Sequence, residues 1–233
     1  MTYLEVSNAL EANGDSQINR ITVGGYFLLM LTIGALPILQ WQHINGLLML
    51  IFLLILVTMR ATKDPIVKSY PQSRPNESWW AVSLRMLMYV FMPFVAIVAV
   101  SLVAAGNRDS AVSSTNTATL SRQIMNSPAM MLMVLLIAPY LEEVVFRQSV
   151  FSGVTKWLHV HLTGANENVC WWIAAILTGW AFGMMHEDSV LLVYVLFSIY
   201  LQWIYHRERD LRFNIITHMG VNTLTFCLLL WQR

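Results

Sequence analysis

The sequence predicts an all-α protein, a polytopic membrane helix bundle of about seven transmembrane helices. Three observations predict it. Of 233 residues, 57% are hydrophobic and 12% are Asp, Glu, Lys or Arg, whereas a soluble globular domain carries about 25% charged residues. The apolar residues are grouped into runs close to the roughly 20 residues that one bilayer crossing needs. No stretch reads as a strand, and there is no internal repeat. Such a chain has too little charge to cover a soluble surface, which excludes a soluble enzyme, a disordered chain and a collagen-like fibre. A net charge of +1 supplies no basic patch able to neutralise several phosphates, so no nucleic acid partner is expected. Membrane lipid is the partner that the composition itself implies.

The expected spans lie near 23–39, 44–59, 84–105, from 127 through Leu141 and beyond, 169–185, 189–205 and 213–231. The Trp79–Trp80 pair just before the third span suits a headgroup belt. Cys170 and Cys227 both sit inside apolar runs, so they are expected to be small core hydrophobes and not a disulfide pair. Residues 1–20 carry Glu5, Glu11 and Asp15 without a basic leader. The first span is therefore expected to be retained as a membrane helix and not cleaved as a signal peptide.

Orientation follows from the Lys and Arg residues between spans. With the N-terminus inside, the cytoplasmic segments hold Arg20, Arg60, Lys63, Lys68, Arg74, Arg85, Arg147, Lys156, Arg207, Arg209 and Arg212. Only Arg108, Arg122 and Arg233 fall on the other side. The positive-inside rule then puts the N-terminus in the cytoplasm and the C-terminus outside. The expected location is the plasma membrane, crossed several times.

Ionisable groups inside apolar runs cost a few kcal/mol each on insertion scales and usually face a bundle interior or a wet cavity. Four places carry such groups or other polar side chains. Glu142, Glu143 and Arg147 form the first. Glu143 and Arg147 are i,i+4 and share a helix face in the favourable order for an ion pair. Glu142 is roughly 140° from Arg147 around an α-helix, which leaves it without a local counter-ion and suited to act as a general base. A buried ion pair that only fixes helix packing has the same spacing. The second place is Phe182 and His186, where Gly179 and Gly183 make a small-xxx-small pair that lets a neighbouring helix approach. Glu187 and Asp188 follow at once, as they do beside an ordinary interfacial histidine. The third is the face of Asn214, His218 and Asn222, whose imidazole and carboxamide can serve as two oxyanion donors or simply join helices. The fourth, Gln202, reads as a helix–helix contact.

Taken in order, the motifs are E-E-x-x-x-R at Glu142–Arg147, F-x-x-x-H at Phe182–His186 and H-x-x-x-N at His218–Asn222. This series resembles the CPBP (Abi) family of intramembrane endopeptidases, which comprises CAAX prenyl proteases and bacteriocin-processing enzymes. The resemblance covers about residues 127–231 and divides the chain. By it, residues 1–126 would form a three-helix membrane region without a recognised motif, and 127–233 a catalytic core like the family's. One departure is Gln148, where many members have Gly after the motif Arg.

The resemblance implies peptide-bond hydrolysis without metal or other cofactor, on a peptide or membrane-protein substrate. Glu142 would activate water with help from His186. His218 and Asn222 would bind the oxyanion, and Glu143 and Arg147 would support the site beside Phe182. A non-enzymatic immunity or binding protein that keeps the fold is the main alternative. A zinc peptidase ranks lower because H-E-x-x-H is absent, and a proton-relay transporter has no positive sign. Simple alternation of spans would put Glu142 and His186 at opposite membrane faces. The two can meet only if the fourth helix continues past Arg147, to about Gly153, which sets Glu142 roughly 15–20 Å from the inner end.

Overall fold

The computed structural model describes Gly24 and residues 77–106, 124–125, 128–162, 164–186, 190–208 and 210–231. Among these residues the regular elements are all helices, with no strand. The spans expected near 23–39 and 44–59 lie outside the described residues.

Helix α1, Trp79–Gly106, replaces the third expected span and begins five residues before it. It takes in Trp79 and Trp80, whose rings stack at 3.6 Å. Its first turn is met by Ser78 Oγ, which accepts from the Ala81 amide at 3.4 Å. Helix α2 covers 128–161 as five consecutive segments: α Pro128–Leu132, π Met133–Ile137, α Ala138–Glu143, π Val144–Phe151 and α Ser152–His161. The junction residues Leu132, Ile137, Ala138, Glu143, Val144, Phe151 and Ser152 all keep right-handed helical angles. The fourth helix therefore does run on past Arg147, and farther than Gly153. At 1.5 Å per residue it is roughly 50 Å long at most, more than the ~30 Å hydrocarbon core. Glu142 lies near its middle.

Gly164, at φ +90°, turns the chain after α2 in a conformation that L side chains seldom adopt. Asn166 then caps α3, Glu167–Met184, by accepting from the Asn168 amide at 2.8 Å. Helices α4, Leu191–Glu208, and α5, Leu211–Trp231, complete the bundle. By length and apolarity, two described helices qualify to cross a membrane, Trp79–Val100 within α1 and Leu211–Trp231. The expected number of seven is larger. In α3 and α4 the Trp, Tyr, Gly, Gln, His and charged residues lower the hydropathy, and α2 is segmented.

Glycines set the closest helix contacts. A Cβ at Gly183 would stand 2.9 Å from both Leu191 Cδ1 and Val195 Cγ2, and one at Gly179 would stand 3.3 Å from the Val195 carbonyl. The small-residue face of α3 therefore seats α4. On α5, a Cβ at Gly220 would stand 2.7 Å from Val90 of α1. Between α1, α4 and α5 the core is built from Tyr89, Phe197, Leu201, Ile204, Phe213 and Val221. Farther along α2, Phe151 and Leu158 pack on Cys170, Ala174 and Ala175 of α3. Cys170 is buried and Cys227 exposed, and both are free thiols.

One buried charge holds α1 to the end of α4. Glu208 accepts from Tyr89 Oη at 2.5 Å and lies 3.3 Å from Arg85 Nε. Arg85 in turn makes a two-point ion pair with Glu77, both contacts at 2.6 Å. Its guanidinium also sits 5.2 Å above the Phe213 ring. Burying a lone carboxylate is costly, and these partners offset that cost.

Candidate active site

The second π segment begins right after the paired glutamates and contains Arg147. A π turn bonds i to i+5 and leaves a carbonyl without an α-helical donor. Two carbonyls of the π segments accept from side chains here. Ser152 Oγ donates to the Arg147 carbonyl at 3.3 Å, and Asn222 Nδ2 donates to the Val134 carbonyl in the first π segment at 3.2 Å. Asn222 thus spends one of its two amide hydrogens on α2 and keeps one.

Arg147 is fully buried and reaches three helices. It donates from Nε and Nη2 to Glu143 at 2.9 and 3.4 Å, and from Nη1 to Ser198 Oγ of α4 at 2.9 Å. Its guanidinium stands 5.3 Å from the centre of the Phe182 ring in α3. The i,i+4 pair expected from the spacing is present, and Glu143 does more than pair with Arg147. It also accepts from His218 Nδ1 at 2.8 Å and from Asn214 Nδ2 at 3.3 Å, both on α5. Asn214 Nδ2 reaches the Leu201 carbonyl of α4 as well, at 2.7 Å.

The two glutamates differ in surroundings. The Glu143 side chain is wholly shielded, whereas that of Glu142 keeps 11% of its surface accessible. Among the described residues the Glu142 side chain makes no hydrogen bond, and His218 Nε2 stands 3.7 Å from its Oε2. One imidazole therefore stands between the two carboxylates, with Nδ1 on the sealed one and Nε2 toward the accessible one. A carboxylate only accepts, so Nδ1 carries a proton.

Phe182 is fully buried and links the remaining parts. Its ring meets Phe146 edge-on at 5.2 Å, His218 at 6.0 Å and His186 at 4.6 Å. His186 lies in the turn just beyond α3, and its Nδ1 is 2.8 Å from the Phe182 carbonyl. Because that carbonyl also only accepts, Nδ1 is the protonated nitrogen and Nε2 is left as an acceptor. Thus Glu142, Glu143, Arg147 and His218 come together directly. Phe182 joins them through its ring, His186 stands against Phe182, and Asn222 lies one turn from His218 on the Val134 carbonyl.

Ser198 and Gln202 were not among the expected site residues. Ser198 holds Arg147, and Gln202 donates to Thr178 Oγ1 of α3 at 3.1 Å, the helix contact expected of it. A signal for this face was available, since Tyr194, Ser198 and Gln202 recur at i,i+4 along α4. Nothing in the pattern of charges marks Glu208, because its partners Tyr89 and Arg85 are more than a hundred residues away.

A buried polar cluster among apolar helices is the arrangement by which membrane proteins bring polar chemistry into the bilayer. Residues 124–224 match the family model described as Type II CAAX prenyl endopeptidase Rce1-like. This segment is therefore similar to the CPBP (CAAX protease) family of membrane-integral endopeptidases, which act on peptide or protein substrates. No curated protein and no solved structure matches the chain.

Proposed function

We propose that this chain is an intramembrane endopeptidase in which Glu142 activates water, acting on a prenylated C-terminal tail of the CAAX type. The observation that carries the reading is His218, held between the shielded Glu143 and the accessible Glu142. In this mechanism Glu142 takes a proton from water as the water oxygen attacks the scissile carbonyl carbon. His186 Nε2 accepts from the same water and orients it. As the C–O bond forms, the oxyanion receives hydrogen bonds from His218 Nε2–H and from the second Asn222 amide hydrogen. When the C–N bond breaks, Glu142 returns the proton to the leaving amine. His218 then donates from both nitrogens as an imidazolium. With Glu142 and Glu143 ionised and Arg147 charged, the four groups sum to zero, which limits the cost of burying them.

The test is hydrolysis of a farnesylated peptide ending in a CAAX sequence by the full chain in nanodiscs, read by mass spectrometry. Specific cleavage is expected. A folded protein that binds the peptide and never cuts it would favour the non-enzymatic alternative.

Metal independence is part of the proposal. His186 and His218 each have one nitrogen committed to a carbonyl or carboxylate, and among the described residues no group of three His, Cys, Asp or Glu side chains is arranged to hold a metal ion. Prolonged chelation is expected to leave the rate unchanged. Loss of activity on chelation with recovery on adding zinc would recast Glu142 and the histidines as ligands.

We further propose that residues 127–233 are the catalytic unit and 1–126 an accessory membrane region. The N-terminus is placed in the cytoplasm of a plasma-membrane protein with seven crossings. Single cysteines introduced at 63–75 should react with an impermeant thiol reagent only after the membrane is opened. Labelling on intact cells would reverse the orientation.

A further inference from the structure

His186 stands where the backbone alone holds it weakly. It follows the last turn of α3, with its amide bonded to the Gly183 carbonyl at 3.1 Å. The bond from Nδ1 to the Phe182 carbonyl fixes the tautomer and one direction, but it leaves the ring free to swing about that bond. Two aromatic rings remove this freedom. Phe182 lies on one neighbour contact at 4.6 Å with a 45° tilt, and Tyr194 of α4 stacks at 4.2 Å with the planes only 24° apart. Phe182 is itself immobilised by burial between Phe146 and the Arg147 guanidinium. Tyr194 is set by the closest part of the α3–α4 contact, because its sequence neighbours Leu191 and Val195 are the residues seated on Gly183.

We infer that Tyr194 is a positioning residue for His186, its ring fixing the imidazole plane so that Nε2 holds one direction toward the reacting water. The inference deepens the proposed function and rests on its assignment of His186. The working group is the flat aromatic face. Near-parallel stacking at this distance favours one ring orientation, and small misplacement of a group that orients a reactant lowers the rate of the chemical step.

The experiment has two arms on the full chain in nanodiscs. In the first, histidine labelled with carbon-13 at Cε1 reports the His186 ring by NMR. The His186 proton should carry an upfield ring-current shift that survives in Tyr194→Phe and falls in Tyr194→Leu to what Phe182 alone supplies. In the second arm, cleavage of the farnesylated CAAX peptide should keep its rate in Tyr194→Phe. In Tyr194→Leu kcat should fall about 10- to 100-fold with KM within about twofold. Placed in a His186→Ala background, Tyr194→Leu should change the residual rate by less than about twofold, because coupled residues are not additive. A Tyr194→Leu protein with full kcat, or one whose loss adds to that of His186→Ala, overturns the inference. Should His186→Ala cleave at the full rate while the ring-current shift behaves as expected, the stack stands and the catalytic assignment of His186 falls.

Discussion

Replacing Glu142 by Gln is expected to lower turnover by about 10²–10⁴-fold, the range that a positioned general base contributes, while folded protein remains in the membrane. The amide keeps the shape of the carboxylate and removes the basic oxygen. Its fold should survive because the Glu142 side chain makes no hydrogen bond among the described residues and retains some access. The same change at Glu143 removes one carboxylate oxygen's charge from Arg147, His218 and Asn214 together, so its effect should appear in stability as well as rate. Cleavage assays paired with size-exclusion profiles separate the two outcomes. Full proteolytic activity in Glu142→Gln would end the glutamate-base mechanism.

Arg147→Ala should be the most damaging change to the fold. It deletes both contacts to Glu143, the bond to Ser198 and the cation–π contact with Phe182. Glu143 is then left as a buried carboxylate without its guanidinium, and breaking a buried pair from one side typically costs about 3–5 kcal/mol. Loss of monodisperse protein, or a large drop in thermal midpoint in detergent, is the expected result. The double variant Glu143→Gln with Arg147→Met, which removes both charges, should recover part of the yield. Arg147→Ala protein as stable as the parent would show that the ion pair contributes little to folding.

Much of this arrangement is legible without coordinates because it follows from single-helix spacing. Glu143 and Arg147 are four apart and pair, and Gly179 and Gly183 are four apart and admit α4. Helix limits near 169–185 and 213–231 fall within two residues of α3 and α5 at both ends. Hydropathy misjudges the end of α4. The apolar run stops near Tyr205, yet the helix continues to Glu208 because that carboxylate is buried against Tyr89 and Arg85. Periodicity also assumes 3.6 residues per turn and so misses both π segments of α2. The bond from His218 to Glu143 joins residues 75 positions apart, and no local spacing encodes such a pairing.

The wide turns of α2 also place a condition on how the chain can change over generations. An α-turn spans the same stretch with fewer residues than a π turn uses. Losing one residue among Gln148, Ser149 and Val150 is therefore absorbed when that stretch relaxes to ordinary α-helix, and the helix beyond keeps its register. Phe151 and Leu158 would stay on Cys170, Ala174 and Ala175. The same loss inside the α segment Ser152–His161 has no wide turn to absorb it and rotates everything beyond by about 100°. Relatives should therefore lose a residue in the wide turns of α2, or in the turn around Gly164, and differ in its α segments by substitution alone.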